Sequence, residues 1–263
     1  MQTIFDMIDE VVSKMSLAEK GFLNLVLIHG KNLQNTHGNK LSETSFLEYY
    51  GNVSSQDIST KINNAYISGI GLWDAITEKE FDYGLQVDDV IRNVLVKGLK
   101  TVNPSFKDNY GSKEGCLSRE KWITEKMLEK MWESMPEEAK KEIAEEIRQV
   151  LLEKGIEPSK ATQASMAILY GGLTAAKAIL GFQFHIILTQ VSNIILKLLV
   201  GKGLTFAGNA LMQKLAGLFF GPIGWFVTAV LFIPMITDFF NSREYDKIIP
   251  AIFLIGLKRT DLG

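Results

Sequence analysis

The chain has 263 residues, 46% of them apolar and 22% charged, with a formal net charge of −2 and one cysteine. That length supplies a substantial core, as one large domain or two small ones. A lone cysteine excludes an internal disulfide, and so faint a charge excludes the strongly basic balance expected of a duplex-DNA binder.

The charge is unevenly placed. Only four of the 30 Asp and Glu lie beyond Glu157, against nine of the 28 Lys and Arg, so the front carries −7 and the back +5. No carboxylate occurs between Glu157 and Asp238. The asymmetry divides the chain into a soluble helical domain over 1–157, apolar helices over 158–240 and a short C-terminal helix over 241–263. The opening "MQTIFDMIDE" has no basic start before an apolar run, so it reads as a cytoplasmic beginning rather than a signal peptide. Cys116 fits a reducing compartment.

Residues 1–15 place Ile4, Phe5, Ile8, Val11, Val12 and Met15 on one helical face. Ser16 opens a second helix with Glu19 completing a capping box, and that helix fades at Gly30. Short helices are expected around Glu43–Tyr50 and Gln56–Ile67. An amphipathic helix follows over "GLQVDDVIRNVLVKGLKTVNP". After the turn-rich "KDNYGSKEG", Ser118 is expected to cap a helix whose apolar stripe is Trp122, Ile123, Met127, Met131 and Trp132. Ser134 is expected to cap the next one, with Pro136 in its first turn. The acid-rich run Glu137–Glu146 reads as exposed helix surface. Strand signals are weak throughout, so the fold class is all-α.

From Pro158 the pattern changes, with no clear stop before Gly201–Gly203. Ala178–Leu196 is uncharged apart from His185 and approaches the roughly twenty residues that span hydrocarbon. A second span runs from Ala216 to Thr237 across Gly221 and Pro222. Gly201, Gly203, Gly221 and Pro222 are the candidate hinges. "IIPAIFLIGLKR" ends in bases that suit a helix C-terminus.

Three environments suit these helices: a membrane, the centre of a soluble bundle, or a membrane surface. Lysine is the only residue in the run with a permanent charge, and its stem can snorkel where a carboxylate cannot. Small residues recur at close helical spacing, permitting helix approach in lipid. Membrane insertion is favoured. In a span, Gln183, Gln190, Asn193 and Lys197 share a face and could line a lumen in an oligomer; equally, they could bind neighbouring helices.

The back region resembles the YaaW-like family, grouped with ubiquinol–cytochrome c chaperone-related proteins. The matching pieces are "GKGLTFAGNALMQKLAG", "GPIGW" and "REYDKIIPAIFLIGLKR", with "INNAYISGIGLWDAI" and "DDVIRNVL" similar in order and spacing. The organisation is also similar to anti-phage membrane effectors of the Hailong type, a soluble helical domain followed by a channel-forming region. That resemblance implies a homo-oligomeric ion channel in a bacterial inner membrane. It also implies a signal, an oligonucleotide made by a partner nucleotidyltransferase.

For such a ligand, Lys97, Lys100, Lys107 and Lys113 interleave with Phe106 and Tyr110, pairing phosphate contacts with base stacking. The alternative is a solvated helix face. Catalysis finds little: His29, His37 and His185 are scattered without metal-ligand spacing, and "YGGLTAAK" lacks the second glycine and hydroxyl of a phosphate loop. No catalytic residue, metal or cofactor is expected. The sequence reading is a membrane effector, inserted permanently or cytoplasmic until triggered. Its alternative is a soluble chaperone-like binding module with a buried apolar hairpin.

Overall fold

The computed structural model describes residues 4–29, 43–70, 113–200 and 245–262, and these are α-helical with no strand among them. In order they form α1 (Ile4–Val12), α2 (Leu17–His29), α3 (Glu43–Phe46), a π turn (Leu47–Gly51) and α4 (Ser55–Ile70). After the gap come α5 (Lys113–Ser134), α6 (Glu137–Glu153), α7 (Pro158–Leu180), a 3-10 turn (Gly181–Gln183), α8 (Phe184–Val200) and α9 (Tyr245–Leu262). The amphipathic helix expected over 84–104, the second apolar span and the hinges Gly201, Gly203, Gly221 and Pro222 lie outside the described residues.

Local chemistry sets most helix starts. At α2 the Ser16 backbone N–H donates to Glu19 Oε2 at 2.6 Å and the Glu19 N–H to Ser16 Oγ at 3.2 Å, closing the expected capping box. Ser54 and Asp57 repeat the motif at α4, with backbone donors at 3.1 Å in both directions. Two expected caps are corrected. Helix α5 already begins at Lys113, so Ser118 lies inside it; and α6 is preceded by Pro136 without a side-chain cap, Ser134 being the last residue of α5. Pro136 instead supplies a fixed φ and an acceptor, its carbonyl taking the Lys140 N–H at 3.0 Å. Gly155, at φ 77°, turns α6 into α7 while its N–H bonds the Leu152 carbonyl and that of Ile156 the Leu151 carbonyl, both at 2.9 Å.

The stripe Trp122, Ile123, Met127, Met131 and Trp132 is buried as expected, and so are Ile8, Val11, Val12 and Met15 on and just beyond α1. One core cluster takes residues from α1 through α9, from both sides of residue 157. Its centre is α9, which packs on α8, α2, α5, α4 and α1. Ala251 through Lys258 are all buried, as befits a helix apolar all round. The C-terminal segment is thus an 18-residue central helix. Its close approach to α5 needs Gly256, where a Cβ would overlap the Thr124 hydroxyl.

The two bases at the end of α9 do more than face its dipole. Lys258 Nζ reaches Glu19 at 3.1 Å and Asp261 at 3.4 Å, while Arg259 Nε meets Glu120 at 2.6 Å and its terminal nitrogen bonds the Met7 carbonyl at 2.9 Å. The Glu120 side chain is 2% exposed. Removing one member of a buried pair strands the other. Glu120→Ala should therefore cost about 3 kcal/mol in denaturant unfolding, against a few tenths for a surface Glu→Ala such as Glu153→Ala.

Desolvation pulls the Lys258 ammonium down, but bonds and charges from Glu19 and Asp261 more than reverse it and hold it above the ordinary lysine value. A raised basic group stabilises the fold fully below its unfolded pKa and ceases to do so as pH rises through the folded one. The melting-temperature gap between the native chain and Lys258→Met is therefore expected to hold through neutral pH and close above about pH 10.5; a constant gap would show that the charge contributes nothing.

Candidate functional site: a tethered apolar hairpin

The run Pro158–Leu196 is, among the described residues, the one helical stretch long and apolar enough to cross a membrane, with mean hydropathy 1.6 in its most apolar window and half of that window buried. It does not run straight. Gly172 adopts φ 73°, ψ −170° inside α7, and Gly181 adopts φ 57°, ψ −122° at its end. Both are backbone states that essentially only glycine enters.

The bend at Gly172 is sharp. Lys160 Nζ donates to Gln183 Oε1 at 2.9 Å although the two residues are 23 positions apart. In a straight helix they would be separated by roughly 34 Å. The two arms of α7, residues 158–171 and 173–180, therefore fold back on one another. The buried stripe records the same break: Ala161, Ala164, Ser165 and Ile168 precede it, and Leu173, Ala176 and Leu180 follow in a shifted register.

The expectation of unbroken helix up to Gly201, and of an uninterrupted span over Ala178–Leu196, is corrected by these two breaks. The two straight pieces of α7 measure about 21 and 12 Å at the helical rise, against hydrocarbon about 30 Å thick. Glycine pairs in "LYGGL" and the "LGF" step were the available signals, but a glycine inside an apolar run reads equally as close helix packing.

Polar side chains within the run tie it to helices rich in charge. Ser165 Oγ donates to the Ala144 carbonyl of α6 at 2.8 Å. On α5, Glu129 accepts from Thr174 Oγ1 at 2.5 Å and Glu125 pairs with Lys177 at 3.2 Å, two rungs one helical turn apart on each helix. Gln190 Nε2 donates to Glu146 of α6 at 3.4 Å, and Thr189 Oγ1 to the Thr260 carbonyl of α9 at 3.1 Å. None was expected from the sequence, since each partner lies on another helix.

At the fold of α7 lies a cleft of about 360 Å³ whose lining includes Glu129, Trp132, Lys140, Tyr170 and Thr174. Lys126 and Lys140 hold salt bridges to Glu129 and Glu137 at 2.7 and 2.8 Å, so its charges are already engaged. Farther along α6, hydrogen bonds from Arg148 and Gln149 hold the Glu145 carboxyl down to about 2, so it stays ionised and paired with Arg148 at any physiological pH. Among the described residues no cluster of three or more His, Cys, Asp and Glu could hold a metal ion.

Of the candidate lumen residues, Gln183 and Gln190 are half-buried and bonded to Lys160 and Glu146, and Asn193 is half-buried one turn beyond Gln190 on α8. Lys197 belongs to α8, but its side chain lies outside the described residues. The oligonucleotide candidates Lys97, Lys100, Phe106, Lys107 and Tyr110 lie outside them too; Lys113 begins α5 with its side chain likewise outside. No protein-family model, curated protein or solved structure matches the chain.

The energetics of this arrangement separate two roles. The inner face of the hairpin buries Ile168, Leu173, Leu180, Phe184, Ile187, Val191, Ile194 and Ile195, each stabilising the packed state by about 1.5–3 kcal/mol relative to water. Acyl chains would serve those side chains as well as the protein core does, so this burial does not choose between the two. The tethers do choose, because the bonds to Glu125, Glu129 and Glu146 are made only in the packed state. Each exposed tether contributes about 0–1 kcal/mol, which makes the set a small and adjustable bias.

Proposed function

We propose that this protein is a bacterial membrane effector whose apolar hairpin is stored in a packed form and released into the inner membrane to build an oligomeric ion channel or pore. The observation that carries this reading is the folded state of the run 158–200. It lacks carboxylates, it is bent at two glycines, the two pieces of α7 being too short to span, and its own polar groups hold it against α5 and α6. Release would swap core for acyl chains at little hydrophobic cost, while straightening at Gly172 and Gly181 would supply the length that the pieces of α7 lack.

In the released form, copies of α8 would face one another through Gln190, Asn193 and Lys197. An anti-phage role by depolarisation, and an oligonucleotide signal from a partner nucleotidyltransferase read by the helices before residue 158, rest on the likeness to Hailong-type effectors alone.

Reconstitution tests the proposal. The full chain should float with liposomes, resist carbonate extraction once inserted and release an entrapped dye. Lys197→Glu should reverse or weaken the ion preference of the conductance; an unchanged preference would remove Lys197 from the lumen. The second reading, a soluble chaperone-like binding module, draws on the half of the apolar window already buried by the chain itself. It predicts a monomer at high concentration without detergent and liposomes that stay sealed under every condition.

A further inference from the structure

We infer that Ser192 is a counterweight to the tethers: a buried hydroxyl without a partner that keeps α8 loosely seated and sets how readily the hairpin opens. The inference rests on the membrane reading above and supplies its regulation.

Ser192 lies near the middle of α8, which packs on α9, α6 and α2. The residue is 0% exposed, and its Oγ has no hydrogen-bond partner among the described residues. A serine inside a helix can turn its hydroxyl onto the carbonyl four residues back. Thr124 and Thr260 make that bond, donating to the Glu120 and Gly256 carbonyls at 2.8 Å each. Ser165 on α7 reaches the Ala144 carbonyl of α6 instead. Ser192 makes neither kind of bond. One turn away on its own helix stand Leu188, Ile195 and Leu196, all buried and apolar, and Thr189, whose hydroxyl is committed to Thr260.

Most buried polar atoms are paired, and one that is not counts against the state that holds it. Here that state is the packed one. Once α8 lifts from the core the Ser192 hydroxyl meets water, ahead of any contact with lipid. Its effect is opposite in sign to that of the tethers and matches one or two of them in size. The packed hairpin is therefore held near balance rather than locked.

Hydrogen exchange on the full-length chain, free of lipid, reads this opening, and dye release from liposomes reads its consequence. Ser192→Ala removes the hydroxyl with little change of shape. It should slow exchange of the α8 amides roughly five- to tenfold, raise the urea midpoint and slow dye release by a similar factor. Ser165→Ala is the matched control, because it removes a paired hydroxyl from a buried helical site with the same gain in helix propensity. It should do the reverse, speeding exchange along α7 and dye release several-fold.

Exchange of α8 that is unchanged or faster in Ser192→Ala would overturn the inference, since the hydroxyl would then cost the packed state nothing. Equal slowing by Ser165→Ala would also overturn it, assigning the effect to helix propensity. Slower exchange with dye release as fast as in the native chain would overturn it while leaving the channel standing. Slower exchange in Ser192→Ala, with no dye release from any variant or from the native chain, would keep the loose seat of α8 and overturn the channel.

Discussion

Gly172→Ala should drive the chain toward membranes. Alanine at φ 73°, ψ −170° costs about 1–3 kcal/mol in the packed state, and in a straightened α7 it gains about 1 kcal/mol over glycine. Together they shift the balance between bent and straight forms by about 3 kcal/mol, roughly a hundredfold. The effect is one of backbone, since a Cβ at this position would meet only Trp132, at an ordinary 3.8 Å.

Liposome flotation and the onset of dye release should both rise steeply. Spin labels at Lys160→Cys and Gln183→Cys should move from close contact toward the roughly 34 Å of a continuous helix. A variant that melts earlier yet partitions and releases dye like the native chain would sink the two-state reading.

A lock across the α5–α7 contact should do the reverse. Glu129 and Thr174 touch through their side chains, so Glu129→Cys/Thr174→Cys joined by a short reducible cross-linker would fix the second arm of α7 to its helix. The locked protein is expected to release no dye, and reduction should restore release in the same sample, a loss and recovery of at least tenfold at a linker cost of about 1 kcal/mol from the lost tether. Release that is equally fast when locked would mean that α7 never leaves α5.

These two experiments bear on the part of the molecule that was hardest to read in the chain. Short-range chemistry was legible. The Ser16–Glu19 box, the stripe from Trp122 to Trp132 and the amphipathic face of α1 all follow from residues within one or two turns. The Ser54–Asp57 box was equally legible by its spacing and was missed. Caps at Ser118 and Ser134 failed for the opposite reason: a serine before an apolar stripe is also a common interior or terminal helix residue, and here one lies inside α5 and the other ends it.

The order of the residues by itself determined that this chain is helical, that one stretch carries no carboxylate, and that glycine sits where that stretch could bend. It could not determine that the stretch does bend, because glycine tolerates a helical and a left-handed backbone at nearly equal cost, and apolar side chains accept protein or lipid alike. That choice belongs to long-range partners. Glu125, Glu129, Glu146 and Thr260 hold the hairpin, and α9 becomes the centre because five other helices close around it. Contacts between residues far apart in the chain, as between Lys258 and Glu19, leave no local pattern; they exist only once the helices have been brought together.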